Sequence, residues 1–370
     1  MKITVAIPCY NLEDRIATCL ESVLLQDYYD IEILIVDDHS TDNSVTVIRD
    51  IIEKYPKRNF RLIVNDINLG LNTVRNQLIH EAQGKYLFFI DGDDTIEPGS
   101  LSLFSNKSEE THSEVICGSF RTIDSDGSTV QIEKHFVNET IEGDFAYASY
   151  IEKHIKGYFH VAVWNNLYSL DFLKSHNITC ATHYNNYEDT LFTFKVVLNA
   201  HSVSFINDIT YNYFRRPTSI SYEKITPEWF KNIKTVICSV IDLYNDFVSN
   251  QKGKAIPAGI RFLVNNICLT NGFLKKGLEA DVEKKEKLLF IKWLKNIYKT
   301  NGMNWRNIVG AYNKISYLLL SSTFAYPLFR FYFKHLKTIS ITLNLFLKYH
   351  INSREKKQDM IIMKNHQDNA

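Results

Sequence analysis

The chain has 370 residues, which suits one large domain and a second part. Hydrophobic residues make up 45% of it and charged residues 23%, as in a globular protein with a substantial core. Lysine and arginine balance aspartate and glutamate, so the net charge is zero. The chain therefore lacks the overall positive charge that would indicate nucleic-acid binding. The six cysteines show no C-x-x-C spacing and predict reduced thiols in a cytoplasmic protein, and neither a signal peptide nor a membrane span is predicted.

Four apolar, strand-like segments alternate with amphipathic helices in the first hundred residues. The strands are predicted at 3–8, 31–36, 60–64 and 86–90. This alternation predicts parallel βαβ units, and therefore an α/β fold with a mostly parallel central sheet and helices on both faces. Such sheets bind ligands at the carboxyl ends of their strands. The polar residues that follow the first, second and fourth strands should therefore meet at one edge.

Beyond Pro98 the pattern is more varied, and from Thr226 it becomes helical. A hairpin turn is predicted at 124–127, a helix over 141–155, a strand over 158–168, a helix from Asn186, and a strand pair over 202–214 that turns at Asn207–Asp208. Long helical patterns follow at 227–249, 256–274, 282–298 and 305–321. We place a domain boundary near residue 222, which gives a domain over 1–222, a helical region over 223–350 and a disordered tail over 351–370.

The most informative stretch is the acidic sequence Asp91-Gly92-Asp93-Asp94, which directly follows the fourth apolar strand. Carboxylates crowded at the end of a buried strand repel one another and are costly to desolvate. A divalent cation such as Mn²⁺ or Mg²⁺ would balance them, and Gly92 would let the backbone approach a ligand closely. The alternative is a solvated acidic turn with no ligand.

Other candidate residues each have an ordinary structural explanation beside the functional one. Asp38 ends the second strand and could accept hydrogen bonds from a nucleobase or a ribose, or it could cap the next helix. Tyr10 could stack on a base, or it could be a buried tyrosine at the end of a strand. Arg75 could reach a pyrophosphate, or it could be a surface residue beside the apolar face of its helix. Asn68 is a turn residue, and Asp189 lies in the first turn of a helix, where acids are common.

These residues carry a resemblance to a known family. The blocks Ile7 to Asn11, Cys19 to Gln26, Glu32 to Ser44, Asn68 to Gly70, Arg75-Asn76, Gly84 to Tyr86 and Asp91 to Asp94 look like family-2 glycosyltransferases with the GT-A fold. The match is close over residues 1–105 and looser to about residue 220. It implies a nucleotide-binding half over 1–105 and an acceptor half over 106–222.

The resemblance also implies a function and roles for individual residues. It implies an inverting transferase that uses a nucleotide-diphosphate sugar, commonly a UDP-sugar, to extend a bacterial surface polysaccharide or lipopolysaccharide. The residues expected to bind the nucleotide sugar are Pro8, Tyr10, Asp38, Asn68, Arg75, Asp91 and Gly92. Asp93 and Asp91 are the expected metal ligands, and Asp189 is the expected general base.

The chain departs from the family pattern after Trp164, where bacterial members are expected to have a lysine. Here Asn165 and Asn166 follow, so no contact made by that lysine is carried over. His39 replaces a glycine that is frequent in its block, which is a minor change in a turn.

The C-terminal part adds an expectation about location. Residues 305–350 mix aromatic and aliphatic residues with lysine and arginine, which predicts either peripheral contact with the inner face of the cell membrane or an ordinary core helix. The expected acceptor is a glycan or a lipid-linked glycan, and the sequence leaves the oligomeric state open. The alternative function is a catalytically silent relative that acts as a binding or scaffolding module through its helical C-terminal region.

Overall fold

The computed structural model describes residues 3–133, 138–154, 162–182, 188–216 and 226–251, together with residues 260, 264, 289 and 293. Contacts within the chain divide it into one unit at Met1–Cys268 and a second at Leu269–Ala370. Every strand and helix described below lies in the first unit.

The first half of this unit is the predicted alternation of strands and helices. The strands are β1 (Ile3–Cys9), β2 (Ile31–Asp37), β3 (Phe60–Val64) and β4 (Tyr86–Phe89), and the helices are α1 (Ile16–Leu24), α2 (Ser44–Lys54) and α3 (Leu71–Glu81). These strands pair in parallel in the order β3-β2-β1-β4. The parallel α/β arrangement predicted from the sequence is therefore confirmed.

Burial explains why β1, β2 and β4 read as largely apolar sequence. Each of their residues is buried, as expected for parallel strands covered on both faces. Pro8 lies inside β1 opposite Val36 of β2, but the pairing of β1 with β4 ends two residues earlier, at Ala6 and Phe89. A proline near the end of a central strand is tolerated here because β1 has lost its β4 partner at that point.

The second half extends the same sheet with strands of both directions. It contains β5 (Thr95–Ile96), α4 (Ser100–Thr111), β6 (Val115–Ile123), β7 (Thr129–Glu133), β8 (Thr140–Glu142), α5 (Ala146–His154), β9 (Asn166–Ser169), α6 (Leu170–Ser175), α7 (Glu188–Asn199), β10 (Ser202–Phe214) and α8 (Pro227–Asn250). The sheet continues from β4 in the order β9-β6-β10-β5, while β7 pairs with β6 and β8 with β10.

Several element boundaries in this half differ from the prediction. The expected turn at Asn207–Asp208 is wrong, because β10 runs on as one strand and absorbs these residues in a register shift against β6. Polar residues that favour turns also suit β-bulges, so the sequence alone did not distinguish a turn from a bulge here. The helix predicted over 141–155 begins only at Ala146, since residues 140–142 form β8.

Helix α8 begins as the sequence predicts, with Thr226 as its N-cap. The Thr226 hydroxyl accepts a hydrogen bond from Trp229 N at 3.3 Å, and Pro227 takes the first helical position. The boundary near residue 222 stays a prediction. Beyond residue 251 the structure describes only residues 260, 264, 289 and 293. The predictions for that part of the chain therefore lie outside the described residues: the later helices, the segment 305–350 and the tail 351–370. Among the helices that are described, none is long and apolar enough to span a membrane.

Gly118 on β6 allows a close contact between three elements and provides a test of the fold. A Cβ atom at this position would lie 2.8 Å from Asn165 Oδ1 and 2.8 Å from Phe104 Cζ, and would also overlap Thr210 Oγ1. Thr210 and Asn165 are held together by a 2.7 Å hydrogen bond, so neither can move away without loss. We expect Gly118→Ala to lower the free energy of unfolding by about 1–3 kcal/mol in chemical denaturation. Unchanged stability would contradict this packing.

Candidate active site

The acidic turn, residues Asp91 to Asp94, lies just beyond the end of β4 and against the end of β1. Asp94 N donates to Asp91 O at 2.9 Å, which closes the turn. A Cβ atom on Gly92 would lie 2.9 Å from Pro8 O, so only glycine permits this approach. The predicted meeting of the ends of β1 and β4 is therefore present in the structure.

Asp94 is the buried member of the turn and connects it to β10. Its side chain is 1% exposed, and its two oxygens accept hydrogen bonds from Tyr211 Oη and Phe214 N, both at 2.8 Å. Burial raises the pKa of Asp94 well above its ordinary value, and the charge of Asp91 raises it further, while the two hydrogen bonds act in the opposite direction. Asp94 therefore fixes the end of β10 to the acidic turn.

Arg75 of α3 lies between two of the predicted site residues. Its Nη2 is 3.0 Å from Asp91 Oδ1, and its Nη1 is 2.6 Å from Asp189 Oδ1 in the first turn of α7. The arginine side chain is 2% exposed, whereas those of Asp91 and Asp189 are 24% and 23% exposed. One buried guanidinium thus brings the acidic turn and the predicted general base together, although they are far apart in sequence.

Arg216 is a charged residue of this region that the sequence analysis did not select. It follows β10 and forms an ion pair with Asp93, joining Arg216 Nη2 to Asp93 Oδ2. Burial lowers the pKa of Arg216, and the nearby charge of Arg15 lowers it further, while Asp91 acts in the opposite direction. The only signal in the sequence was a pair of arginines directly after a strand, which is a common arrangement.

The residues predicted to hold a nucleoside lie at the ends of β1 and β2. Asp38 is buried, and its carboxylate accepts hydrogen bonds from Asn65 Nδ2 at 3.0 Å, Leu69 N at 2.9 Å and Gly70 N at 2.8 Å. Asn68 Nδ2 donates to the Asp38 carbonyl at 3.2 Å. Asp38 therefore organises the loop that leads into α3, and its contact with a nucleoside stays a prediction.

Tyr10 differs from its neighbours because its side chain is 47% exposed. It follows β1 directly, and the ends of β1 and β2 are joined by a 2.8 Å hydrogen bond from Asp38 N to Cys9 O. An exposed aromatic ring at this edge is available for stacking.

The acidic turn has the chemistry of a divalent-cation site. Asp91, Asp93 and Asp94 each offer a carboxylate oxygen, and these three atoms lie within 4.8 Å of one another. Oxygen ligands of this kind suit Mg²⁺ and Mn²⁺. Both oxygens of Asp94 already accept hydrogen bonds, whereas Asp91 and Asp93 each have one oxygen in an ion pair. The role of Asp91 and Asp93 as metal ligands stays a prediction.

Comparison with known proteins agrees with this architecture. Residues 4–168 match the family model of glycosyl transferase family 2. These residues form a glycosyl transferase family 2 domain. A structure of Staphylococcus aureus TarS 1–349 in complex with UDP-GlcNAc aligns over 86% of this chain and 90% of that one, with a TM-score of 0.64 and 23% identity. That likeness concerns the fold, which is GT-A as predicted.

Two curated relatives extend the similarity beyond the family domain. The chain is 31% identical over 252 residues to a poly(ribitol-phosphate) beta-glucosyltransferase of Bacillus spizizenii, covering 65% of this chain and 37% of the relative. It is 28% identical over 286 residues to the poly(ribitol-phosphate) beta-N-acetylglucosaminyltransferase TarS of Staphylococcus aureus, covering 75% of this chain and 47% of the relative. The chain thus spans less than half the length of either protein.

The ion pair between Arg216 and Asp93 leads to a prediction about metal binding. Arg216→Ala removes a positive charge that competes with a cation for Asp93. A partly exposed ion pair contributes up to roughly 1 kcal/mol, so Mn²⁺ should bind the variant about fivefold more tightly. The free Mn²⁺ signal in electron paramagnetic resonance measures this affinity.

Arg215→Ala is the matched control, because it removes the same charge one residue away. An equal gain in Mn²⁺ affinity in both variants, or no gain in Arg216→Ala, would contradict competition at Asp93.

Proposed function

We infer that the chain is an inverting glycosyltransferase that moves a sugar from a nucleotide-diphosphate donor to a hydroxyl of a growing cell-surface glycan. The observation that carries this proposal is the contact of Arg75 with both Asp91 and Asp189. This contact places the proposed general base beside the acidic turn, as a reaction at the anomeric carbon of a bound donor requires. The names of the two curated relatives support a surface polymer as the acceptor.

The donor is proposed to lie along the carboxyl ends of β1, β2 and β4. Tyr10, Pro8 and the Asp38–Asn68 loop would hold the nucleoside, and the close approach at Gly92 would admit the diphosphate to the acidic turn. UDP-sugars are the proposed donors, in keeping with the UDP-GlcNAc bound to the TarS structure.

Asp93 and Asp91 would hold Mn²⁺ or Mg²⁺ in this reaction. When bound, the cation supplies positive charge that stabilises the diphosphate as a leaving group. The protein itself supplies the oxygen ligands and keeps the turn rigid through Asp94 and Tyr211.

Asp189 is proposed to act on the acceptor. Its carboxylate removes the proton from an acceptor hydroxyl, and the hydroxyl oxygen forms a bond to the anomeric carbon of the donor sugar. The bond from that carbon to the diphosphate breaks at the same time, and its electron pair leaves with the nucleoside diphosphate. Attack opposite the leaving group inverts the anomeric configuration.

The proposed acceptor is a glycan or a lipid-linked glycan at the inner face of the cell membrane. Peripheral contact through residues 305–350 remains part of the proposal, on the strength of their aromatic and basic composition.

A panel of nucleotide sugars tests the donor prediction. We expect UDP-glucose, UDP-galactose or UDP-N-acetylglucosamine to raise the melting temperature of the protein, because a ligand that binds only the folded state stabilises it. The shift should grow when Mn²⁺ is added and should be larger than with GDP-mannose. If no nucleotide sugar shifts the melting temperature, the proposed function fails, whereas binding with no UDP release would favour the silent binding module.

The general base is tested by Asp189→Asn, which preserves shape but cannot accept the proton. We expect UDP release from the bound donor to fall by about 10²–10⁴-fold, with donor binding retained. Asp171→Asn, the same change in the first turn of α6, is the matched control and should keep full activity. Full turnover in Asp189→Asn would show that Asp189 is not the general base.

A further inference from the structure

We propose that Arg75 is a positioning residue that fixes the general base Asp189 against the acidic turn, and is not a ligand of the donor diphosphate. This inference rests on the proposed function, since it takes Asp189 as the base. It departs from the expectation that Arg75 binds the nucleotide sugar directly.

The charge balance around the buried guanidinium already involves two acids. A guanidinium that is 2% exposed has lost most of its hydration, which costs several kcal/mol unless ionic partners replace the water. Here two carboxylates take the place of the water: Asp91 Oδ1 lies 3.0 Å from Arg75 Nη2, and Asp189 Oδ1 lies 2.6 Å from Arg75 Nη1. Losing either contact would leave the buried guanidinium with one ionic partner fewer, so we take both carboxylates as its resting partners.

The contact with Arg75 also imposes a geometry on Asp189. An arginine bound through two separate nitrogens to two carboxylates holds both in a fixed relative orientation, which a flexible lysine cannot do. The bond at Oδ1 sets the direction of the Asp189 carboxylate relative to the acidic turn. The same guanidinium sets the direction of Asp91 at the donor side.

The neighbours of Arg75 on α3 bind the chain segment that leads to Asp189. Residues three and four apart share one face of a helix, and Asn72, Arg75 and Asn76 have this spacing. Asn72 Nδ2 donates to Ala181 O at 2.9 Å. Asn76 Nδ2 donates to Cys180 O at 2.8 Å, and Asn76 Oδ1 accepts from Cys180 N at 2.7 Å.

These contacts all lie on one face of α3 and involve residues 180, 181 and 189. Asn72 and Asn76 hold the chain at residues 180–181, before α7, and Arg75 holds Asp189 at the start of α7. One face of α3 therefore holds both residues 180–181 and Asp189. An arginine assigned to the diphosphate alone would not explain why the flanking asparagines bind the same segment.

The test compares Arg75→Lys with the wild type in donor binding and in UDP release. Lysine keeps the charge but loses the two-sided contact, so a misplaced base should lower kcat by about 10²-fold. The dissociation constant of the UDP-sugar that the wild type binds should change far less than kcat, because lysine keeps a positive charge beside Asp91. Arg49→Lys, an exposed arginine on α2, is the matched control and should leave both quantities unchanged.

A second arm uses Arg75→Ala with guanidinium chloride at millimolar concentration. Partial recovery of kcat by added guanidinium supports a positioning role, because a general loss of structure would not be repaired by a small cation. Weaker donor binding with unchanged kcat in Arg75→Lys would overturn the proposal and would indicate that Arg75 binds the donor diphosphate.

The contact itself can be measured without substrate, which separates this inference from the proposed function. If the wild type releases no UDP from any donor, the proposed function fails. The pair is then judged by the unfolding free energies of Arg75→Ala, Asp189→Ala and the double variant. Non-additive losses support the contact, and additive losses overturn it.

Discussion

The negative charge of the acidic turn is balanced by groups from other elements of the fold. Asp91 is paired with Arg75 of α3, Asp93 with Arg216 after β10, and Asp94 with hydrogen-bond donors of β10 itself. Carboxylates this close cannot all remain ionised beside a buried strand: the pKa of buried Asp94 is raised, and Asp91 and Asp93 are each paired with an arginine. The requirement for charge balance therefore ties the parallel half of the sheet to its second half.

The same balance explains why the proposed donor and acceptor sites are close together. Arg75 compensates one acid on each side, so Asp189, the proposed base, is held relative to the acidic turn through one rigid group. Asp94 binds β10 to the acidic turn in a similar way, and Arg216, which follows β10, therefore lies beside the turn. A bound cation and a diphosphate would enter an arrangement of charges that is already organised, and we propose that a cation would displace Arg216 from Asp93.

The sequence predicted the parallel half of the fold well because its signals are local. Largely apolar runs mark β1, β2 and β4, and polar residues at their carboxyl ends meet at one edge because parallel strands end together. Residues such as Asp91, Gly92 and Asp93 could therefore be selected from their position after a strand. The bulge in β10 could not be predicted, because the same polar residues suit a turn or a bulge and tertiary pairing decides between them.

The partners of the charged residues were also beyond the reach of sequence. Arg75 and Asp189 are separated by 114 positions, and their contact depends on how α3 and α7 pack. Arg216 shows no motif, and only its place beside Asp93 gives it a role. Asp38 was selected for the nucleoside, yet the structure reveals its hydrogen bonds to the 65–70 loop, which no periodicity indicates.

The central claim is that the acidic turn holds a cation and the diphosphate of a nucleotide donor. Diffraction at the manganese absorption edge, from crystals grown with UDP and Mn²⁺, tests it most directly. We expect an anomalous peak beside the carboxylates of Asp91 and Asp93, with the UDP diphosphate next to it and Arg216 moved off Asp93. UDP bound elsewhere, or bound with Arg216 still paired to Asp93 and no peak at the turn, would contradict it.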